Sequence, residues 1–250
     1  MTYLLIDTSY SIFYRFYATM RWYQCSHPDD TFPNDYNWFN NEIFNKMFVK
    51  NYYKSFSKVI KKYNIEEKNI IFTMDCKRKD IWRMDYYTPY KSNRVNTSNM
   101  KPFFTYTYDT IINNLVIHNG CKVLKHDKLE ADDIICLTKK YIRNIYPDTS
   151  IIIISSDCDL LQLIDDKTFI INLQNKLLND KCKHISPSLY LHIKIICGDK
   201  SDNITGCFNK CGEKTAIKLL NNKHLLKEKI RKNPGSLHKY ALNSILIHFD

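Results

Sequence analysis

Four apolar stretches, three of them closing on an aspartate, constrain the fold of this chain more than anything else in it: "YLLID" (3–7), "IIFTMD" (70–75), "CKVLK" (121–125) and "IIIISSD" (151–157). Each reads as a buried strand. Helical periodicity fills the spaces between them, most clearly over 41–62, 107–119 and 131–145. Strands alternating with helices predict a parallel sheet covered on both faces. Ligands of such sheets bind beyond the carboxyl ends of the strands, where this pattern delivers Asp7, Asp75 and Asp157.

At 250 residues and 44% hydrophobic content, one compact body with a sizeable core is expected. Lys and Arg number 37 against 26 acids, for a formal net charge of +11. That balance favours a polyanionic partner. Nine cysteines, an odd number without a CxxC pair, point to a reducing, intracellular compartment. Cys207 and Cys211, with His184 and His192 upstream, lack the spacing of a zinc site. The first apolar stretch contains Asp7, and the longest aliphatic run is too short to span a bilayer, so no membrane partner is expected. Residues 21–62 begin as loop and end as an aromatic helix whose rings fill core, while 76–101, rich in Lys, Arg and Tyr, is expected to be exposed.

A basic chain that crowds its acids needs a reason. "LEADDII" places Glu130, Asp132 and Asp133 at the start of a helix with Lys139, Lys140 and Arg143 late, an order the helix dipole alone would favour. "SSDCDLLQL" puts Asp157 and Asp159 at a strand-to-helix turn, where capping would explain them. "CGDKSDN" could be an Asx-rich turn around Asp199 and Asp202. What these local explanations leave out is that nine acids arrive at strand ends and helix starts that a parallel sheet brings to one edge. Two unit charges about 4 Å apart repel by about 4 kcal/mol at an effective dielectric near 20, so such a group calls for cations. All-oxygen donors without histidine favour Mg²⁺ or Mn²⁺ over zinc. With the nine set aside, the rest of the chain is still more positive than the whole, which suits a polyanionic substrate.

These residues also carry a resemblance. "LLIDTSYSIFYRFYA", "FTMDCKR", "YKSNR", "LEADDII", "SSDCDLLQLI" and "CGDKSDNITG" followed by "CGEKTAIKLL" run from residue 4 to 220 in an order similar to that of the 5′-nuclease superfamily of flap endonucleases, phage 5′-exonucleases and the 5′-nuclease domains of bacterial repair polymerases. The resemblance implies an α/β, PIN-like parallel-sheet core over 1–185 with a helical arch near 76–106, and a helical portion over 186–250 with a helix–hairpin–helix element. It implies one metal held by Asp7, Asp75, Glu130 and Asp132, and a second by Asp157, Asp159 and Asp202. Asp133 and Asp199 would bridge or hold metal-bound water. Lys91 and Arg94, with Tyr90, match the start of the arch and would act in catalysis. Arg83 and Tyr90 would contact DNA, as would Gly206, Gly212, Lys214 and Thr215 in the hairpin, which often holds a K⁺ ion. This hairpin, "ITGCFNKCGEKTA", carries less glycine than the family pattern and no proline, and the Asp7–Asp75 interval is longer than usual.

The function expected is a two-Mg²⁺ 5′-nuclease acting on DNA with a 5′ end or 5′ flap. The alternatives are a PIN-type or 5′-exoribonuclease-like RNA nuclease and a catalytically silent nucleic-acid-binding scaffold. No QxxLxxFF-like peptide is present at the C-terminus, so no sliding-clamp partner is expected, and a monomer is.

Overall fold

A computed structural model describes residues 1–94, 100–182 and 185–249. His184 and part of the arch segment, 95–99, therefore lie outside the described residues. The five strands are β1 (Thr2–Asp7), β2 (Ile70–Met74), β3 (Lys122–Lys125), β4 (Ser150–Ile154) and β5 (Thr168–Ile171). They form one sheet in the order β3-β2-β1-β4-β5, with every neighbouring pair parallel. Leu4 pairs with Ile70 on one side and Ile152 on the other, so β1, β2 and β4 end together and their following residues share one edge.

Alternation along β1 divides the core. Leu4 and Ile6 join one cluster with Phe72 and Ile154, while Leu5 joins Ile71, Ile151 and Ile153 on the opposite face. The first face is covered by α1 (Thr8–Ser26), α2 (Glu42–Lys54), α3 (Ser57–Tyr63) and the helical stretch 101–119. Short α4 (Arg83–Tyr86) lies beyond β2, and α5 (Lys101–Tyr106) runs through a π-helical turn, Thr107–Ile112, into α6 (Asn113–Asn119). Phe44, Phe48, Tyr52 and Phe56 are buried as expected of the aromatic stretch. Each such ring contributes about 1.5–3 kcal/mol by leaving water. The loop expected from residue 21 begins later, because Tyr23 continues the buried face of α1 set by Ile12, Phe16 and Thr19.

On the other face α7 (Ala131–Ile145) matches its expected span. Ala131, Ile134, Ile135, Thr138 and Ile142 are buried along one side, and the Asp133 side chain accepts from the Glu130 amide at 3.1 Å to close its first turn. The chain then continues through α8 (Pro187–Cys197), α9 (Glu213–Asn221), α10 (Lys223–Lys232) and α11 (Ser236–Ile247). Helices α8 and α11 pack back on the sheet's acid edge: Ile195, Leu246 and Ile247 share a cluster with Cys76, Ile81 and Tyr90. The expectation that 76–101 is exposed fails there, because this packing buries Ile81, Arg83, Tyr90 and Lys91. Among the described residues no helix is long and apolar enough to cross a membrane.

Candidate metal centre

Every acid of the centre sits where one element gives way to another. Asp7 ends β1 and caps α1, accepting from the Tyr10 amide at 2.9 Å and the Ser155 hydroxyl at 3.0 Å. Asp75 follows β2 and accepts from Ser9 Oγ at 2.5 Å and from the Ala131 amide at 2.8 Å, the first of α7. Ser9 Oγ also lies 3.2 Å from the Tyr108 hydroxyl, carried by the π-helical turn. Asp157 follows β4 and accepts from the Asp159 amide at 2.8 Å. The amino ends of α1 and α7 thus point at the acids, a favourable but partial compensation.

Asp7, Asp75, Glu130, Asp132 and Asp157 line one cleft of about 460 Å³, with Lys91 and Arg94 on its wall. Burial, and then the neighbouring Asp75, push the Asp7 carboxyl up to about 7. Asp132 is driven well above the ordinary carboxylate range by burial and by Asp157 and Asp7. Asp157 also rises, chiefly from burial, although Lys194 and Lys91 pull the other way. Asp132 Oδ1 is buried with no hydrogen-bond partner. An orphaned carboxylate oxygen among four other acids fits a hard divalent cation, and this oxygen-only donor set is of the kind Mg²⁺ and Mn²⁺ take.

A second group of acids is joined to the cleft through Lys91 and Arg94, which line it and contact Asp202. Asp159, Asp199 and Asp202 bring carboxylate oxygens within 4.8 Å of one another. Lys194, in the last turn of α8, joins two of them: its ammonium contacts Asp159 and lies 2.8 Å from Asp199 Oδ2. Burial would raise the Asp199 carboxyl, but Lys194 and the Ser201 hydroxyl and amide hold it down to about 2. Sequence reasoning missed Lys194. The signal was a lone ammonium in the apolar run "LHIKIIC", one helical turn before the acids of the next loop. The turn itself needs Gly198, at φ 73°, where a Cβ would meet Ile204 O at 2.4 Å.

Lys91 and Arg94 enter the same constellation. The Lys91 ammonium is 2.5 Å from Glu130 Oε1 and 3.6 Å from Asp202 Oδ2, and Arg94 Nη2 is 2.5 Å from Asp202 Oδ1. Lys91 adopts φ 53° and its amide donates to Asp202 O at 2.9 Å, which turns the side chain inward. Arg78 fixes the turn by donating to the Lys91 and Arg94 carbonyls.

Three sequence expectations need correction. Arg83 does not face DNA: it is 1% exposed, its guanidinium donates to both Asp133 oxygens at 2.8 and 2.6 Å and to Glu130 at 3.1 Å, and its Nε donates to Leu246 O at 2.7 Å. A charge buried this deeply persists because it is paired on several sides. Tyr90 is likewise enclosed, its hydroxyl lying 2.9 Å from Glu130 Oε2 and 3.0 Å from Asp202 Oδ2 and sharing its proton between them, so its ring does not stack on a base. Asp133 has both oxygens committed to Arg83 and one shared with Trp82 Nε1, and it lies off the cleft. It orders Arg83 and α7 and has no oxygen left to bridge metals. In the segment expected to form a hairpin, Gly212 and Lys214 are exposed and Thr215 is half-buried at the start of α9. Gly206 is explained by packing, since a Cβ there would lie 2.6 Å from Cys197 O.

Fold and cleft together define the class: an α/β protein with a parallel, PIN-like sheet whose carboxyl edge is built to hold cations. The chain belongs to the family described as 5′-3′ exonuclease, N-terminal resolvase-like domain, whose model matches residues 2–188. It is 32% identical over 167 residues to DNA polymerase I of Streptococcus pneumoniae strain R6, covering 62% of this chain and 18% of that protein. It is 29% identical over 233 residues to the 5′-3′ exonuclease of Mycoplasmopsis pulmonis, covering 88% of this chain and 66% of that protein. The chain therefore spans under a fifth of the polymerase and just under two thirds of the exonuclease. In fold it is similar to a T5 protein co-crystallised with metal ions, with a TM-score of 0.70 at 19% identity, covering 99% of this chain and 89% of that one. The bacteriophage T5 flap endonuclease, in a pseudo-enzyme–product complex with DNA and metal ions, gives a TM-score of 0.67 at 17% identity over 99% and 89% of the two chains.

Proposed function

We propose that this chain is a divalent-metal-dependent 5′-nuclease that hydrolyses DNA phosphodiesters at or near a 5′ end. The observation that carries the reading is the cleft itself: Asp7, Asp75, Asp132 and Asp157 converge with an orphaned oxygen, walled by Lys91 and Arg94, in a chain of net charge +11. Family membership and the names of the relatives support it.

Asp7, Asp75, Asp132 and Asp157 would hold one Mg²⁺ or Mn²⁺, and Asp159, Asp199 and Asp202 a second, with Glu130 poised between Lys91 and Arg83. When bound, such a pair supplies water activation and charge stabilisation for in-line displacement at phosphorus. The protein's own residues do the rest. Ser9, Ser155 and the Ala131 amide orient the carboxylates. Lys91 and Arg94, now paired with Glu130 and Asp202, have a second anion to meet when a phosphodiester enters, and they would stabilise the charge that builds on it. In the exposed start of α9, Gly212, Lys214 and Thr215 would grip duplex backbone, with K⁺ as a candidate ion at that turn.

Digestion in Mg²⁺ of 5′-flap DNA, nicked DNA, single strands and the matching RNA tests the reading. DNA cleavage from or near the 5′ end that stops in EDTA is expected. Cleavage of RNA alone would move the protein to the ribonucleases, and binding without cleavage in Mg²⁺ or Mn²⁺ would make it a scaffold.

A further inference from the structure

The two faces of the sheet are not equally covered. Helices α1 to α3 and the 101–119 stretch close one face, whereas α7 alone spans the β2–β3 side of the other. Parallel sheets are stable with both faces buried, yet here a groove of about 440 Å³ runs between α7 and the edge strand β3. Its floor is aliphatic, with Ile71, Leu129, Ile134 and Ile142, and Leu137 and Tyr141 stand exposed along its α7 side, the latter at 67%. It extends from Leu129, at the acid end of the sheet, to Tyr146 at the far end, alongside a helix of 15 residues, or about 22 Å. It shares no lining residue with the acid cleft.

The charge on its rim is one-signed. Lys122 and Lys125, at the two ends of β3, and His126 line it with no carboxylate among the lining residues. Among the described residues neither lysine has an ion-pair partner. A second copy of this chain would bring the same lysines and the same +11 charge to the contact. Nucleic acid would satisfy the rim but leave the aliphatic floor unburied, because a phosphate backbone carries no matching apolar surface.

We propose that this groove docks an amphipathic helix of another protein, about four turns long, whose apolar stripe is flanked on one side by carboxylates. The stripe would lie between α7 and β3 and complete the cover of the sheet, and the carboxylates would meet Lys122 and Lys125. The mode is that of a helix laid in a groove, read by anchors at i, i+3, i+4 and i+7. It does not depend on the nuclease reading.

The probe is a fluorescein-labelled helical peptide of about 16 residues, with leucines on one stripe and glutamates along one flank, titrated with the full chain by anisotropy. Its counterpart has lysine at each glutamate. The acidic peptide is expected to bind about ten-fold more tightly than the basic one. Tyr141→Asp should raise its Kd by a similar factor, and Lys122→Glu with Lys125→Glu should reverse the preference. Since both sites are exposed, circular dichroism should report unaltered folding. Equal binding of the two peptides overturns the proposal, as does binding indifferent to Tyr141→Asp. A dimer in sedimentation that Tyr141→Asp dissolves would assign the groove to a second copy. Loss of duplex-DNA affinity in the double lysine variant, with peptide binding intact, would assign it to nucleic acid.

Discussion

Asp132 and Asp133 stand side by side in the sequence and do opposite work. One turns a bare oxygen into the cleft, and the other spends both oxygens on Arg83. Nothing in the string "LEADDII" separates them, because a helix start sends adjacent side chains in different directions and only the fold decides which direction is the cleft. Arg83→Met should lower stability by about 3–5 kcal/mol, because Asp133 and Glu130 would be left as buried charges without their cation; urea unfolding measures it, and a loss under about 1 kcal/mol would make the triad dispensable. On the function proposed above, Lys91 would meet the reacting phosphate as well as the acids. Lys91→Ala should therefore slow single-turnover cleavage by about 10²–10³, while the Kd for a 5′-flap, measured in Ca²⁺ to block chemistry, stays within a few-fold of wild type. Weak binding with a normal single-turnover rate at saturating enzyme would instead make the 89–94 turn a docking surface.

At the level of elements, β1, β2 and β4 were legible because a buried parallel strand is a continuous apolar run, and α7 because its period and its capping agree. β5, four residues with Asp165 and Asp166 just before it, offered no such run. The single helix expected over 41–62 is two, parted at Ser55 and Phe56, where both residues turn inward to be buried. The 76–101 segment was misjudged for a reason of chemistry: Arg, Lys and Tyr usually seek water, but a cleft of acids is as good a partner, and that partner arrives from 39 to 112 residues away. The proposed grip of the α9 start on duplex DNA rests on the exposure of Gly212 and Lys214. Lys214→Ala should weaken duplex binding evenly across sequences and make the salt dependence shallower by about one unit of slope. An unchanged slope would remove α9 from the interface.

For the molecule as a whole, the raised carboxyls tie metal, pH and stability together. Asp7, near 7 when folded, and Asp132, also raised, hold protons in the metal-free fold that the unfolded chain has released above about pH 4. Their contribution to stability is thus present at low pH and is lost as pH rises through about 7, while a divalent ion, which displaces those protons, binds better in the same direction. The increase in Tm given by saturating Mg²⁺ should accordingly grow between about pH 5.5 and 8, and an increase independent of pH would mean that the raised acids are not the ligands. The most direct test removes two of the proposed ligands at once. Asp157→Asn with Asp159→Asn should abolish Mg²⁺-dependent cleavage of a 5′-flap while DNA binding is kept or tightened, since two negative charges leave a site that faces a polyanion. Cleavage by this double variant at near the wild-type rate in saturating Mg²⁺ would contradict the account.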